Sequence, residues 1–160
     1  MAPAPEEASR PAAGTDLPRL AELAAEAVTE LSALRGGAVW ARAQARPAPY
    51  EDSLQAALGD PFQHVVVGTL DGTVMGYGVG RVDHLRDGGR LGVIEDLYTD
   101  PGCRELGLGE MMMDGLVQWC REQGCFGVDS LALPGDRHTK NFFESFGLVA
   151  RAIVVHRSLG

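Results

Sequence analysis

The stretch Val93-Ile94-Glu95-Asp96-Leu97-Tyr98-Thr99-Asp100-Pro101-Gly102-Cys103-Arg104-Glu105-Leu106-Gly107-Leu108-Gly109 decides how the rest of the chain is read. Val93 to Tyr98 has the branched, apolar and aromatic composition of a buried strand, and Asp100-Pro101-Gly102 supplies the turn that ends it. From Leu108 onward apolar residues recur at helical spacing, at Leu108, Met112, Leu116 and Trp119 with Cys120. Glu110, Asp114, Gln118 and Arg121 share the other side. A strand that opens a helix through closely spaced glycines is an anion-binding arrangement. Gly107 and Gly109 remove side chains where a ligand would approach the backbone, and the first helical turn offers unpaired N–H groups at the positive end of its dipole.

The flanking segments read as a layered α/β chain. Residues 1–8 are Ala, Pro and Glu without periodicity and are expected to form a disordered tail, with residues 9–160 as one domain. Ser9 to Ala12 is a candidate first strand. Thr15 or Asp16 caps a helix that puts Leu20, Leu23, Ala24, Ala27, Leu31 and Leu34 on one side and stops at Gly36-Gly37. Residues 38–49 form a loop or broken helical turn, and Tyr50 to Leu58 a short helix. Phe62 to Leu70 and Thr73 to Val82 are strands joined by a hairpin at Asp71-Gly72. Gly76, Gly78 and Gly80 alternate in the second of them, so one face of the sheet is bare and a helix is expected to pack unusually close. Farther on, Phe126 to Leu133 is a strand, Asp136 caps a helix running to about Phe146, and Leu148 to Arg157 is a final strand. This order predicts an α/β architecture with a mixed sheet.

Composition narrows the function classes. A net charge of -8, from 14 basic and 22 acidic residues, argues against nucleic acid, whose binding rests on clustered Lys and Arg. The acidic balance serves solubility and is compatible with a cationic substrate. No stretch approaches the roughly 20 apolar residues that span a bilayer, so no membrane partner is expected. The first ten residues have neither a basic start nor an apolar run, and Cys103, Cys120 and Cys125 show no C-x-x-C spacing, which together point to a reducing, cytoplasmic setting. His64, His84, His138 and His156 are too dispersed for a metal cluster.

Several motifs together resemble one family. Arg104 to Gly109 matches the R-x-x-G-x-G/A loop by which GNAT superfamily N-acetyltransferases hold the pyrophosphate of acyl-coenzyme A. Glu95 to Pro101 resembles the strand ending E-D-L-Y-V-x-P found in members similar to polyamine acetyltransferases, and Asn141 to Leu148 resembles the later F-Y-x-x-x-G-F segment. The resemblance covers roughly residues 8 to 157. It implies a GNAT-like three-layer fold with a central mixed, splayed sheet flanked by helices, the pantetheine arm lying in the splay. It implies acetyl-CoA as co-substrate, no metal, and cofactor contacts from Leu97, Tyr98, Thr99, Arg104, Glu105, Leu106, Gly107, Leu108, Gly109, Glu110, Asn141 and Phe143.

The implied reaction is transfer of the acetyl group to a primary amine of a small molecule, such as a polyamine or amino acid, by direct attack in a ternary complex. A homodimer is compatible with the resemblance. Glu95, in an apolar strand, is the candidate base, since partial burial would raise its pKa; a strand-end carboxylate bonded to a neighbouring chain segment is the structural alternative. In a regular strand Asp96 would point to the opposite face. A backbone N–H at Leu97 or Tyr98 would resemble the family's oxyanion donor. Residues 38–49 correspond to a region that lines the acceptor site, where Arg42 and Arg46 sit awkwardly with a strongly cationic acceptor. The chain departs from the family pattern at Glu105, where glycine is usual, and at Phe143, where many members carry the tyrosine that protonates the leaving thiolate. These two departures favour the alternative, a catalytically weak acyl-CoA-binding sensor of the same fold.

Overall fold

A computed structural model describes all 160 residues. The elements in chain order are β1 (Glu7–Pro11), α1 (Leu17–Ser32), α2 (Gly37–Ala43), α3 (Tyr50–Gly59), β2 (Gln63–Leu70), β3 (Thr73–His84), β4 (Arg90–Thr99), α4 (Leu108–Glu122), β5 (Gly127–Ser130) and α5 (Arg137–Ser145). They build a five-stranded sheet in the order β1-β2-β3-β4-β5. The first four strands are antiparallel neighbours and β5 is parallel to β4, with α4 as the crossover that a parallel pair requires. This is the mixed sheet flanked by helices that the element order predicts.

Each face of the sheet carries its own core. On one face Leu20, Leu23, Ala24 and Ala27 of α1 and Leu54 and Ala57 of α3 pack on Val65, Val67, Tyr77, Val79 and Tyr98. On the other, Leu108, Met112, Met113 and Leu116 of α4 and Phe143 of α5 pack on Val66 and Ile94. The bare strand face lies under α4, as the alternating glycines predict. A Cβ at Gly76 would sit 2.9 Å from Met112 Cε, one at Gly78 2.9 Å from Leu116 Cδ1, and one at Gly80 3.3 Å from Leu116 Cδ2. Gly68 and Gly92 extend this floor under Met112 and Cys120. The stripe Leu108, Met112, Leu116, Cys120, one residue per helical turn, therefore rests directly on backbone.

The start of α1 is tied to β1 by an ion pair between a buried carboxylate and a half-exposed arginine. Asp16, 8% exposed, accepts from Arg10 Nη1 and Nη2 at 2.8 and 2.9 Å and from the Ala13 N–H at 2.8 Å. The hydrogen bond from Arg10 holds the Asp16 carboxyl below the usual carboxylate range. A depressed folded-state pKa stabilises above the unfolded-state value near 4 and loses that contribution as pH falls through the folded value. Asp16→Asn should accordingly cost about 1–2 kcal/mol at pH 7 by denaturant titration, and much less at pH 2.

Three elements differ from expectation. The first strand begins at Glu7 rather than Ser9, with the Glu6 N–H bonded to Asp71 at 2.8 Å. β5 is four residues long and ends at Ser130, short of Leu133. Leu148 to Arg157 forms no strand: from Val149 onward the backbone hydrogen-bonds to no other backbone group. Its branched residues favour extended backbone, but a strand exists only through a paired neighbour, and the segment meets β5 through the Arg151 side chain on Asp129 and not through its backbone.

Candidate active site

β4 pairs with β5 only from Leu91 to Ile94, so its outer edge is open from Glu95 to Thr99. This is the splay that the resemblance implies. The hydrogen-bond alternation fixes which groups face the opening. Asp100 N–H donates to Met75 O at 2.8 Å and Tyr98 lies opposite Tyr77, so Tyr98 N–H turns toward β3 while Leu97 N–H points into the open edge. Of the two expected donors, Leu97 is thus the one that is placed to meet a ligand. A cleft of about 800 Å3 opens onto this edge, lined among others by Glu95, Leu97, Thr99, Arg104, Gly109 and Phe143.

A bulge reorganises the strand at the deepest point of interest. Val79 pairs with Asp96 but Gly80 pairs with Ile94, leaving Glu95 as the extra residue. Both carboxylates consequently reach one guanidinium, which overturns the expectation that Asp96 faces away. Arg46, its side chain 6% exposed, donates from Nε and Nη2 to Asp96 at 2.8 and 2.9 Å and from Nη2 to Glu95 Oε2 at 3.3 Å. Arg81 Nη1 donates to the other oxygen, Glu95 Oε1, at 2.7 Å, and Arg81 Nε to Asp83 at 2.8 Å. Tyr77 O–H completes the network by donating to Asp96 Oδ2 at 2.7 Å; burial first, then Asp96, pushes its phenol well above the usual range.

Asp96 is therefore a structural group, saturated by a bidentate arginine and a tyrosine. Glu95 is held at the cleft wall by two arginines, one on each oxygen. Arg46 comes from the turn after α2, where sequence placed arginine without a partner. Arg81 and Tyr77 were not anticipated, although strand parity puts both opposite Gly76, Gly78 and Gly80, on the α1 and α3 face.

The remaining expected residues fall in different places. Arg104 bends across the cleft mouth, donating to Glu30 Oε2 at 2.7 Å and to Thr99 O at 3.1 Å, with its guanidinium 5.4 Å from the Tyr98 ring centre. That hydrogen bond lowers the Glu30 pKa, and burial beside Glu30 and Glu26 pushes the Tyr98 phenol up to about 12. Leu106, Gly109 and Glu110 line the cleft with Arg104; Glu105, Gly107 and Asn141 lie outside its lining, and the Leu108 side chain is core. Gly107 has an ordinary φ of -78°, and a Cβ there would meet only Glu7 Oε2, at 3.1 Å. Phe143 is 6% exposed, its ring against Phe142. Cys103 is buried, which pushes its thiol up and marks it as an ordinary packed cysteine.

Comparison with known proteins agrees with this fold. Residues 25–148 match the model of the Acetyltransferase (GNAT) family, which is most of the chain. An aminoglycoside acetyltransferase from an uncultured soil metagenomic sample, solved in complex with sisomicin, superposes with a TM-score of 0.71 at 24% identity, covering 96% of this chain and 95% of that one. Glucosamine-6-phosphate N-acetyltransferase from Arabidopsis thaliana gives 0.69 at 19% identity, covering 97% and 99%. An aminoglycoside N-acetyltransferase solved in complex with CoA gives 0.74 at 14% identity, covering 100% and 99%. At such identities the structural likeness speaks for the fold, and the family match decides the lineage: the chain belongs to the GNAT family of acetyltransferases.

Proposed function

We propose that the protein transfers an acetyl group from acetyl-CoA to a primary amine of a small molecule by direct attack in a ternary complex. The observation that carries this reading is the meeting, in one cleft, of an unpaired strand edge at Leu97 and a carboxylate at Glu95. The thioester carbonyl lies along the open edge of β4, where Leu97 N–H stabilises the oxyanion as the amine nitrogen attacks. Glu95 takes the amine proton, directly or through one water, and passes it to solvent. As the new C–N bond forms and the C–S bond breaks, the departing thiolate is protonated by solvent. Phe143 offers no hydroxyl for that step.

Three of the five acids that line the cleft, Glu30, Glu95 and Asp96, have arginine partners, while Glu110 and Asp136 have none. Arg46 and Arg81 oppose Glu95 and Asp96, and Arg104 opposes Glu30, so much of the wall's negative charge is already compensated, which weakens the attraction for a long polyamine. A monoamine, amino acid or amino sugar fits this balance better. Release of free thiol from acetyl-CoA across polyamines, amino acids, aminoglycosides and peptides tests the reading. Turnover with at least one amine is expected. Tight CoA binding with no turnover on any of them would establish the sensor alternative.

Two substitutions bear on the cofactor side. Gly107→Val adds bulk at the start of α4, with only the flexible end of Glu7 in its way, so the fold should persist. CoA affinity by calorimetry should fall at least about tenfold, roughly 1.4 kcal/mol; an unchanged value in the folded variant removes the loop from the site. Phe143→Tyr supplies a hydroxyl where many relatives have one. If solvent protonation already suffices for a thiol of pKa about 8.5, turnover should change by less than about tenfold. A rise of several hundredfold would mark the natural protein as a disabled transferase.

A further inference from the structure

Helix α4 ends in a closely defined turn. Gly124 N–H donates to Arg121 O at 3.0 Å and Cys125 N–H to Cys120 O at 3.0 Å, with Gly124 at a φ of +76°. These two bonds and the left-handed glycine make a Schellman motif, in which the residue after the glycine meets the residue five positions earlier across the last turn. An apolar pair commonly fills that contact. Here both positions are cysteine, and both thiols are free.

The two sulfurs have different surroundings. Cys120 is 1% exposed, and its sulfur lies over the bare backbone of Gly92, where a Cβ would come within 2.5 Å of it. Burial first, then the Cys125 thiol beside it, pushes the Cys120 thiol up to about 11. Cys125 is half-buried, in the short connection from α4 to β5. Neither lines the cleft of the acyl-transfer reading.

We propose that Cys120 and Cys125 form a redox dithiol, which a hydroperoxide converts to an intramolecular disulfide. The closing bond of a Schellman turn holds its two Cα atoms at the roughly 4.4–6.8 Å that a disulfide spans. The turn is anchored independently of the cysteines, since Arg90 Nη1 donates to Gln123 O at 3.0 Å and Phe126 N–H donates to Arg90 O at 3.0 Å. Its backbone therefore has the linked arrangement before the link forms. Cys103 is no competitor: it is buried before the other end of the helix, and about 18 Å of α4, from Leu108 to Cys120, separates it from the pair.

The chemistry balances with the peroxide as the one co-reactant. Cys125, the accessible thiol, attacks as its thiolate. An S–O bond forms, the O–O bond breaks, and hydroxide leaves to take a proton from solvent, which gives a sulfenic acid. The Cys120 sulfur then attacks the Cys125 sulfur: an S–S bond forms, the S–O bond breaks, and the departing hydroxide takes the Cys120 proton as water. Two electrons pass from the two sulfurs to the peroxide oxygens. Cys120, buried and protonated, is inert to peroxide by itself and suited to this second step. The proposal stands apart from the acyl-transfer reading, because none of its readouts involves turnover.

Treatment of the full chain with hydrogen peroxide, followed by alkylation without reductant and tryptic mapping by mass spectrometry, tests it. Cleavage after Arg121 puts the two cysteines in separate peptides, 105–121 and 122–137, which only a disulfide joins. The expected result is that linked pair, separated again by dithiothreitol, with a fall from three titratable thiols per denatured chain to one. Cys103 should remain alkylated. Cys120→Ser should leave the sulfenic acid unresolved, so that dimedone traps it at Cys125 at least about tenfold more than in wild type. The wild-type map decides the matter even if the variant misfolds. Three surviving thiols, sulfinic or sulfonic acid at Cys125 without the linked pair, or a link that includes Cys103 or joins two chains would each overturn the proposal.

Discussion

Glu95→Gln is expected to lower the turnover rate by about 100-fold, a barrier increase of roughly 2.7 kcal/mol, with CoA affinity unchanged. Glutamine keeps the shape and its single oxygen can still accept from one of the two arginines, while its NH2 faces the other; it cannot take a proton from an amine. Neither arginine is orphaned by the change: Arg46 keeps Asp96 at 2.8 Å and Arg81 keeps Asp83 at 2.8 Å. The fold should therefore survive, and the loss should appear in the turnover rate rather than in thermal stability. A variant with wild-type rate and pH profile would return Glu95 to the structural role of a carboxylate bridging two arginines. The bulge sharpens the test. Glu95 is the extra residue of the bulge and is the more exposed of the two carboxylates, whereas Asp96 is held by Arg46 and Tyr77, so Asp96→Asn should act mainly on stability, by disturbing those contacts.

The second large effect concerns the glycine floor under α4. Gly76→Val should destabilise the protein by about 3 kcal/mol, near the upper end for overpacking. The added Cβ would stand 2.9 Å from Met112 Cε and 2.9 Å from the backbone oxygen of Tyr98. The methionine tip can move, but the carbonyl belongs to the neighbouring strand, so relief requires β3 and β4 to part beside the cleft. For a chain of this length the change corresponds to a fall of about 6–12 °C in Tm. Gly14→Ala is the control, since nothing lies within 4 Å of a Cβ there, and it should stay within about 0.5 kcal/mol of wild type. Equal melting temperatures for the two variants would mean that α4 does not rest on bare backbone.

What was legible in the sequence follows the range of the forces involved. The α4 stripe, the Asp71-Gly72 hairpin and the Asp136 cap are local patterns, and each stands where its residues put it; Asp136 accepts from Thr139 N–H at 3.1 Å. The alternating glycines also read correctly, because parity along a strand carries the information that one face is stripped. The Glu95 bulge did not, since an extra residue is defined only against the register of the neighbouring strand. Arg46 finds Asp96 across fifty residues of sequence, a pairing that no local pattern encodes. Residues 148–157 have the composition of a strand but form no strand pairing, because propensity alone does not supply a neighbouring strand in register.

Initial-rate kinetics with acetyl-CoA and the best amine, coupled to mass spectrometry of the products, tests the central claim most directly. The account predicts intersecting double-reciprocal lines, an N-acetylated amine, free CoA, and no acetyl group on the protein. Parallel lines with a covalent acetyl-enzyme, or CoA binding without any acetylated product, would contradict it.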